Sequence, residues 1–127
     1  MTVRQDKIAT EIIHCAREVY NVLGHGFQEV VYKRAMSTEM MLRGIEHQRE
    51  FKLPLFYKYV DVGQKRVDFL VEGEIPLEVT AFVNLADAHI EQAIKYLEAY
   101  NMETGLLINF GAENLQGKRL FNRKYKD

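Results

Sequence analysis

Two short apolar runs, Lys65 to Val71 and Ile75 to Phe82, flank the polar turn Glu72-Gly73-Glu74, and this hairpin constrains the fold more than any other feature of the 127-residue chain. A turn centred on Gly73 sets Asp68 opposite Glu78 and Arg66 opposite Thr80. The residues themselves test that register. Strand side chains alternate between faces, and one face then carries Val67, Phe69, Val71, Ile75, Leu77, Val79 and Ala81, all of them apolar, as a buried face requires. The other face carries Arg66, Asp68, Leu70, Pro76, Glu78 and Thr80. Two carboxylates therefore oppose each other with Cβ atoms about 5 Å apart. Like charges at that distance repel, and burial adds a desolvation cost. A divalent cation such as Mg²⁺ would offset both, since it takes one or two carboxylates and keeps several waters. Solvation of the face, or neutralisation of Asp68 by Arg66, would also do so.

Around the hairpin the periodicity predicts two leading helices. Ile8, Ile12, Cys15, Val19 and Leu23 recur at helical spacing up to Gly24-His25-Gly26, and a second helix runs from about Gln28 through Val31, Ala35, Met36 and Met40 to a cap at Gly44. Phe51 to Val60 then reads as a strand broken by Gly63. After the hairpin, Ile90, Ala93, Ile94, Leu97 and Tyr100 mark a helix over about Ala86 to Asn101, and Leu106 to Phe110 reads as a buried strand. The tail alternates weakly. The order ααβββαβ predicts an α/β domain with a mixed sheet and helices packed against it. With no linker-like stretch, residues 1–127 are expected to form a single domain.

The composition narrows the classes. A hydrophobic share of 47% with 28% charged residues is that of an ordinary globular protein, and no apolar run is long enough to span a membrane. The charged N-terminus lacks the apolar stretch of a secretory signal, so a cytoplasmic protein is expected. Cys15 is the sole cysteine, which excludes an internal disulfide and a multi-cysteine zinc site and leaves a buried structural thiol. A net charge of -1 argues against coating nucleic acid by bulk electrostatics, though not against a local basic patch.

Asp68 followed by Glu78-Val79-Thr80 resembles the PD-(D/E)xK nuclease superfamily, in which an Asp and a Glu-x-Lys on adjacent strands hold Mg²⁺ for phosphodiester hydrolysis. More specifically, Gly26-Phe27-Gln28-Glu29-Val30-Val31-Tyr32 matches G-x-x-E-x-x-Y, the signature of the GxxExxY family within that superfamily. Arg66-Val67-Asp68-Phe69, Glu78-Val79, His89-Ile90-Glu91-Gln92 leading to Tyr96, and Gly105 to Phe110 follow in the family's order. The resemblance implies a three-layer α/β/α restriction-endonuclease-like core. It also implies a Mg²⁺ or Mn²⁺ site formed by Asp68 and Glu78 with Glu29 on the second helix. Gln92 and Tyr96 match the superfamily's Q-x-x-x-Y motif, and their four-residue spacing puts both on one helix face, where they could bind a phosphate or orient the carboxylates. His89 could share that face.

Thr80 stands where the family pattern has lysine, and a hydroxyl cannot supply the positive charge that steadies the developing negative charge on phosphate. Arg66, across from Thr80, and Lys95, beside Tyr96, are the candidate replacements. The resemblance therefore implies a metal-dependent nuclease with an atypical site, or else an inactive nuclease fold used to bind nucleic acid or protein. Lys118, Arg119, Arg123, Lys124 and Lys126, interleaved with Phe121 and Tyr125, make the tail either a nucleic-acid contact or a solvated basic terminus. No membrane partner is expected, and whether the chain is a monomer or a homodimer stays open.

Overall fold

The computed structural model describes residues 1–127. Helices α1 (Val3–Leu23) and α2 (Glu29–Leu42) are followed by strands β1 (His47–Tyr57), β2 (Val60–Val71) and β3 (Ile75–Thr80), helix α3 (Asp87–Ala99), and strands β4 (Thr104–Asn109) and β5 (Gln116–Phe121). The five strands form one sheet in the order β1-β2-β3-β4-β5, parallel only between β3 and β4 and antiparallel elsewhere. The parallel step needs a crossover, and α3 supplies it. Helices α1 and α2 cover one face of the sheet and α3 the other, which makes the three layers of an α/β/α domain.

Local chemistry sets the helix boundaries. Thr2 caps α1 through a reciprocal pair of bonds, accepting from the Gln5 N–H at 3.0 Å while the Gln5 side chain accepts from the Thr2 N–H at 2.9 Å. Ile8, Ile12, Cys15 and Val19 form the buried stripe of α1. Helix α2 ends in a Schellman turn: Ile45 N–H donates to Met40 O, Gly44 N–H donates to Met41 O, and Gly44 takes the left-handed conformation with φ 70°. Between the helices Gly26 has φ 109°, a value that excludes side-chain-bearing residues. Tyr32 secures that turn. Its buried hydroxyl donates to Gly24 O at 2.6 Å and accepts from Phe27 N–H at 3.2 Å, and its ring stacks on Phe110 with centroids 4.6 Å apart.

The main core lies between the sheet and α1/α2, where eighteen buried residues form one cluster that includes Ile12, Tyr32, Met36, Phe69, Val71, Ile75, Leu77, Val79 and Phe110. Beneath α3 a smaller cluster joins Leu97, Leu107 and Leu120. Cys15 is fully buried in the main core, and burial pushes its thiol up to about 11, as expected of a structural cysteine. No helix is long and apolar enough to cross a membrane.

The fold departs from the sequence reading in two places. Gly63 does not end a strand. The chain reverses at Lys58-Tyr59, both with positive φ, and Gly63 sits inside β2 next to the register shift between Leu55 and Phe56. The tail is also not a loose terminus, since Gln116–Phe121 pairs along β4 as an eighth element, β5. Arg119 is bonded there to Asp6 and to Thr10, so part of the tail's charge is spent within the fold, and the Lys126 backbone N–H donates to Asn101 at 3.0 Å.

Candidate metal and phosphate site

The β2–β3 ladder has the expected register, pairing Phe69 with Leu77, Leu70 with Pro76 and Val71 with Ile75. That ladder ends at Phe69–Leu77, whereas on its other edge β3 pairs with β4 from Leu77 on to Thr80. The gap leaves the Val79 N–H without a partner on β2, and Asp68 fills it: its Oδ2 accepts from Val79 N at 2.8 Å. Asp68 and Glu78 are thus brought together where the two strands separate, at the mouth of the parallel β3–β4 step.

Each carboxylate has its own ammonium. Lys33 Nζ on α2 lies 2.9 Å from Asp68 Oδ1 and 3.0 Å from Glu29 Oε1, so Glu29 reaches the pair through Lys33. Burial works against the Lys33 charge, but hydrogen bonds to Asp68 and Glu29 outweigh it and hold the ammonium above the ordinary lysine value. Lys65 Nζ lies 3.3 Å from Glu78 Oε1 and 4.9 Å from the centre of the Tyr96 ring. Glu78 is nevertheless pushed up from 4.5 to about 7, first by burial and then by the charge of Asp68, against the pull of Lys65. An apolar void of about 30 Å³ beside it, lined by Leu53, Val67, Pro76 and Leu97, accounts for the poor solvation.

From Glu78 a groove of about 160 Å³ runs under α3, and Lys65, Thr80, Phe82, His89, Gln92 and Tyr96 line it. Gln92 and Tyr96 share one helix face here, and His89 is with them. The His89 Nδ1 accepts from Ala86 N–H at 3.2 Å, which leaves Nε2 as the protonated nitrogen of a neutral ring, and the ring stacks on Phe82 with centroids 4.1 Å apart. Thr80 is occupied structurally, its hydroxyl bonding to Asn109 Oδ1 at 3.2 Å. Asn109, fully buried, also accepts from Phe82 N and donates to Phe82 O and to Gln116, and so ties together the ends of β3 and β4 that carry the site.

Two expected cations lie elsewhere. Arg66 is not opposite Thr80, because the β2–β3 ladder has closed before it; its cross-strand neighbour is Lys52, and its head group lies 3.9 Å from Glu50. Lys95 is exposed and does not line the Glu78 groove; it lies along the stretch of α3 that faces Leu55, with Glu91 and Glu98 near it. Lys33 and Lys65 take their place beside the carboxylates. The Glu29/Lys33 spacing of four was a visible signal for the first. For Lys65 strict alternation misled, because it placed this lysine on the face opposite Asp68. In the structure Phe69 and Val71 join the α1/α2 core, while Lys65 and Val67 look toward α3. The strand thus changes the side it presents around Asp68, next to Glu50, whose φ is 49°.

Asp68 and Glu78 fit an oxygen-liganded divalent cation: two close carboxylates, one held reluctant to ionise by burial and then by the charge of the other, gain from any added positive charge. No three His, Cys, Asp or Glu side chains form a ready-made cage. A family model for the PD-(D/E)XK nuclease superfamily matches residues 6–121. No curated protein matches the chain. Among solved structures, the crystal structure of SSO0001 matches with a TM-score of 0.52 at 17% identity, covering 94% of this chain and 67% of that one, a likeness that speaks for the fold alone. Since the family match runs from the first turn of α1 to the last residue of β5, with Asp68 and Glu78 inside it, the chain belongs to the PD-(D/E)XK nuclease superfamily.

Proposed function

We propose that residues 1–127 act as one nuclease-like domain that hydrolyses phosphodiester bonds of nucleic acid, and that within the superfamily the chain is of the GxxExxY type. The observation that carries this reading is the ammonium of Lys65, 3.3 Å from Glu78 in the groove shared with Gln92 and Tyr96, because it returns to the site the positive charge that Thr80 lacks. Asp68 and Glu78 would hold Mg²⁺ or Mn²⁺. When bound, such an ion supplies a Lewis acid for the phosphate and a bound water of lowered pKa. The chain's own groups do the remainder. The Val79 N–H fixes the Asp68 carboxylate, Lys33 holds Glu29 beside it, and Tyr96 keeps the Lys65 head group over the groove. Lys65 then faces a phosphate lying in the groove and stabilises its developing charge, while the Gln92 amide orients a phosphate oxygen.

Superfamily members generally depend on divalent metal, so the test is cleavage of single-stranded and duplex DNA and RNA with Mg²⁺ and with Mn²⁺. Wild type should cut, while Asp68→Asn and Lys65→Met should each lose on the order of 10²- to 10³-fold in rate. Full activity in Lys65→Met would remove Lys65 from the reaction. A second reading, an inert nucleic-acid-binding or protein-binding module, is favoured by Lys33, which already neutralises Asp68. Cleavage that appears only in Thr80→Lys would establish it.

A further inference from the structure

The β1–β2 hairpin extends well beyond what the fold needs. Every residue from Pro54 to Gln64 is exposed, so the outer half of the hairpin stands clear of both cores by roughly 15 Å at the rise of a β-strand. Its base is held, since the Tyr100 hydroxyl on α3 donates to Leu53 O at 2.9 Å. Its tip is apolar and bare: Phe56, Tyr57, Tyr59, Val60 and Val62 are all at least half exposed, and Tyr59 is completely so. Exposed aromatics at such density point to a contact surface.

Charge identifies the occupant. From Arg49 to Arg66 the chain holds five Lys and Arg against only Glu50 and Asp61, although the whole protein is net negative. Arg49, Lys52 and Lys58 have no acidic side chain within ion-pair distance; Lys58 instead lies 5.4 Å from the centre of the Tyr57 ring. Cations alternating with open aromatic faces suit a phosphate backbone whose bases are free to stack. A second copy of the chain fits poorly, because pairing β1 with itself would bring like charges together and Pro54 lacks an N–H on that strand.

The arm also leads to the candidate site. A groove of about 820 Å³ runs between Leu55 on the arm and α3, and it shares Gln92 and Tyr96 with the pocket that holds Lys65 and Glu78. Arg123 and Lys95 stand along it with Glu91 and Glu98. We infer that the β1–β2 hairpin is a binding arm for unpaired nucleic acid, with Tyr57 and Tyr59 stacking on bases and Lys52 and Lys58 contacting phosphates, so that a single strand is fed along α3 to Glu78. This inference rests on the nucleic-acid reading above and adds the substrate class, single-stranded over duplex.

The test is fluorescence anisotropy with a labelled oligothymidine strand and a labelled duplex of equal length, in chelator so that nothing is cut. Wild type should prefer the single strand. Tyr57→Ala with Tyr59→Ala should weaken that binding about 10-fold or more, with an unchanged thermal midpoint because both side chains are exposed. Lys52→Gln with Lys58→Gln should flatten the salt dependence by about 0.7 in log-log slope per charge removed. With no tryptophan in the chain, tyrosine emission should be quenched by the bound strand in wild type and much less in the tyrosine variant. Unchanged binding in the tyrosine variant, or a preference for duplex, overturns the arm. So does a wild-type dimer that the tyrosine substitutions split in sedimentation, which would make a second copy the occupant. If the variants bind normally while Asp68→Asn alone stops cleavage, the arm fails and hydrolysis stands. Tyrosine-dependent strand binding by a protein that cuts nothing leaves the arm standing without hydrolysis, and a wild type that binds no nucleic acid overturns both.

Discussion

The two faces of the sheet are built on opposite terms. Toward α1 and α2 the contacts are apolar and closely packed, with Ile12, Met36, Leu77, Val79 and Phe110 all inaccessible to solvent. Toward α3 the cluster is small, a void borders Leu97, and Glu78 is half-buried beside a second carboxylate. The first face stabilises the fold. The second holds charged groups in an environment that disfavours their charge, a cost that structure alone does not require. Stability and chemistry are thus divided between the two sides of β3, whose Leu77 and Val79 point one way and Glu78 the other.

Substitutions can break this division. The largest effect belongs to activity: Glu78→Gln should lose on the order of 10²- to 10³-fold in cleavage rate, read in the presence of Mn²⁺. On stability, Leu77→Ala should cost about 3 to 4 kcal/mol by denaturant unfolding, because its side chain is completely enclosed. Leu97→Ala, next to an existing void, should cost about 2 kcal/mol. Equal costs at the two positions would refute the contrast between the faces.

The same Glu78→Gln variant should gain stability in alkaline solution without metal. A carboxyl with a folded value of about 7 against 4.5 in the open chain contributes its full stability at acid pH and loses it as pH rises through 7. The amide carries no such loss. Wild type and variant should therefore be equally stable below the ordinary carboxylate range, diverge as pH rises from 4.5 to about 7, and differ by about 3 kcal/mol above neutrality, in favour of the variant. The smallest change in stability, as distinct from activity, is expected at Asp68→Asn, whose amide oxygen can still accept from Val79 N–H, at about 1 kcal/mol or less.

The α1/α2 face was legible in the sequence because alternation and helical spacing both record it: Ile8 to Val19 on α1, and Phe69 to Val79 about the Glu72-Gly73-Glu74 turn. Asp68, Glu78, Gln92 and Tyr96 could be placed because a turn and a helix period fix their neighbours. The other face resisted for three reasons. The hairpin tip at Lys58-Tyr59 reaches positive φ without glycine or asparagine, so no turn signal was present, and Gly63 offered a false one. Strand β5 is an edge with only Leu120 buried, so its pattern is faint. Lys65 joins Glu78 because β2 changes the side it presents around Asp68, beyond the end of its pairing with β3, a tertiary event that no period within one strand records.

The account rests on Asp68 and Glu78 acting as a cation site, and Mn²⁺ titration calorimetry near pH 7, in buffers of different ionisation enthalpy, tests that most directly. Because burial and the charge of Asp68 raise the Glu78 carboxyl to about 7, binding near that pH should release a fraction of a proton per ion, and both heat and proton release should vanish in Glu78→Gln. Binding with no buffer dependence, or binding that persists in Glu78→Gln, would contradict it.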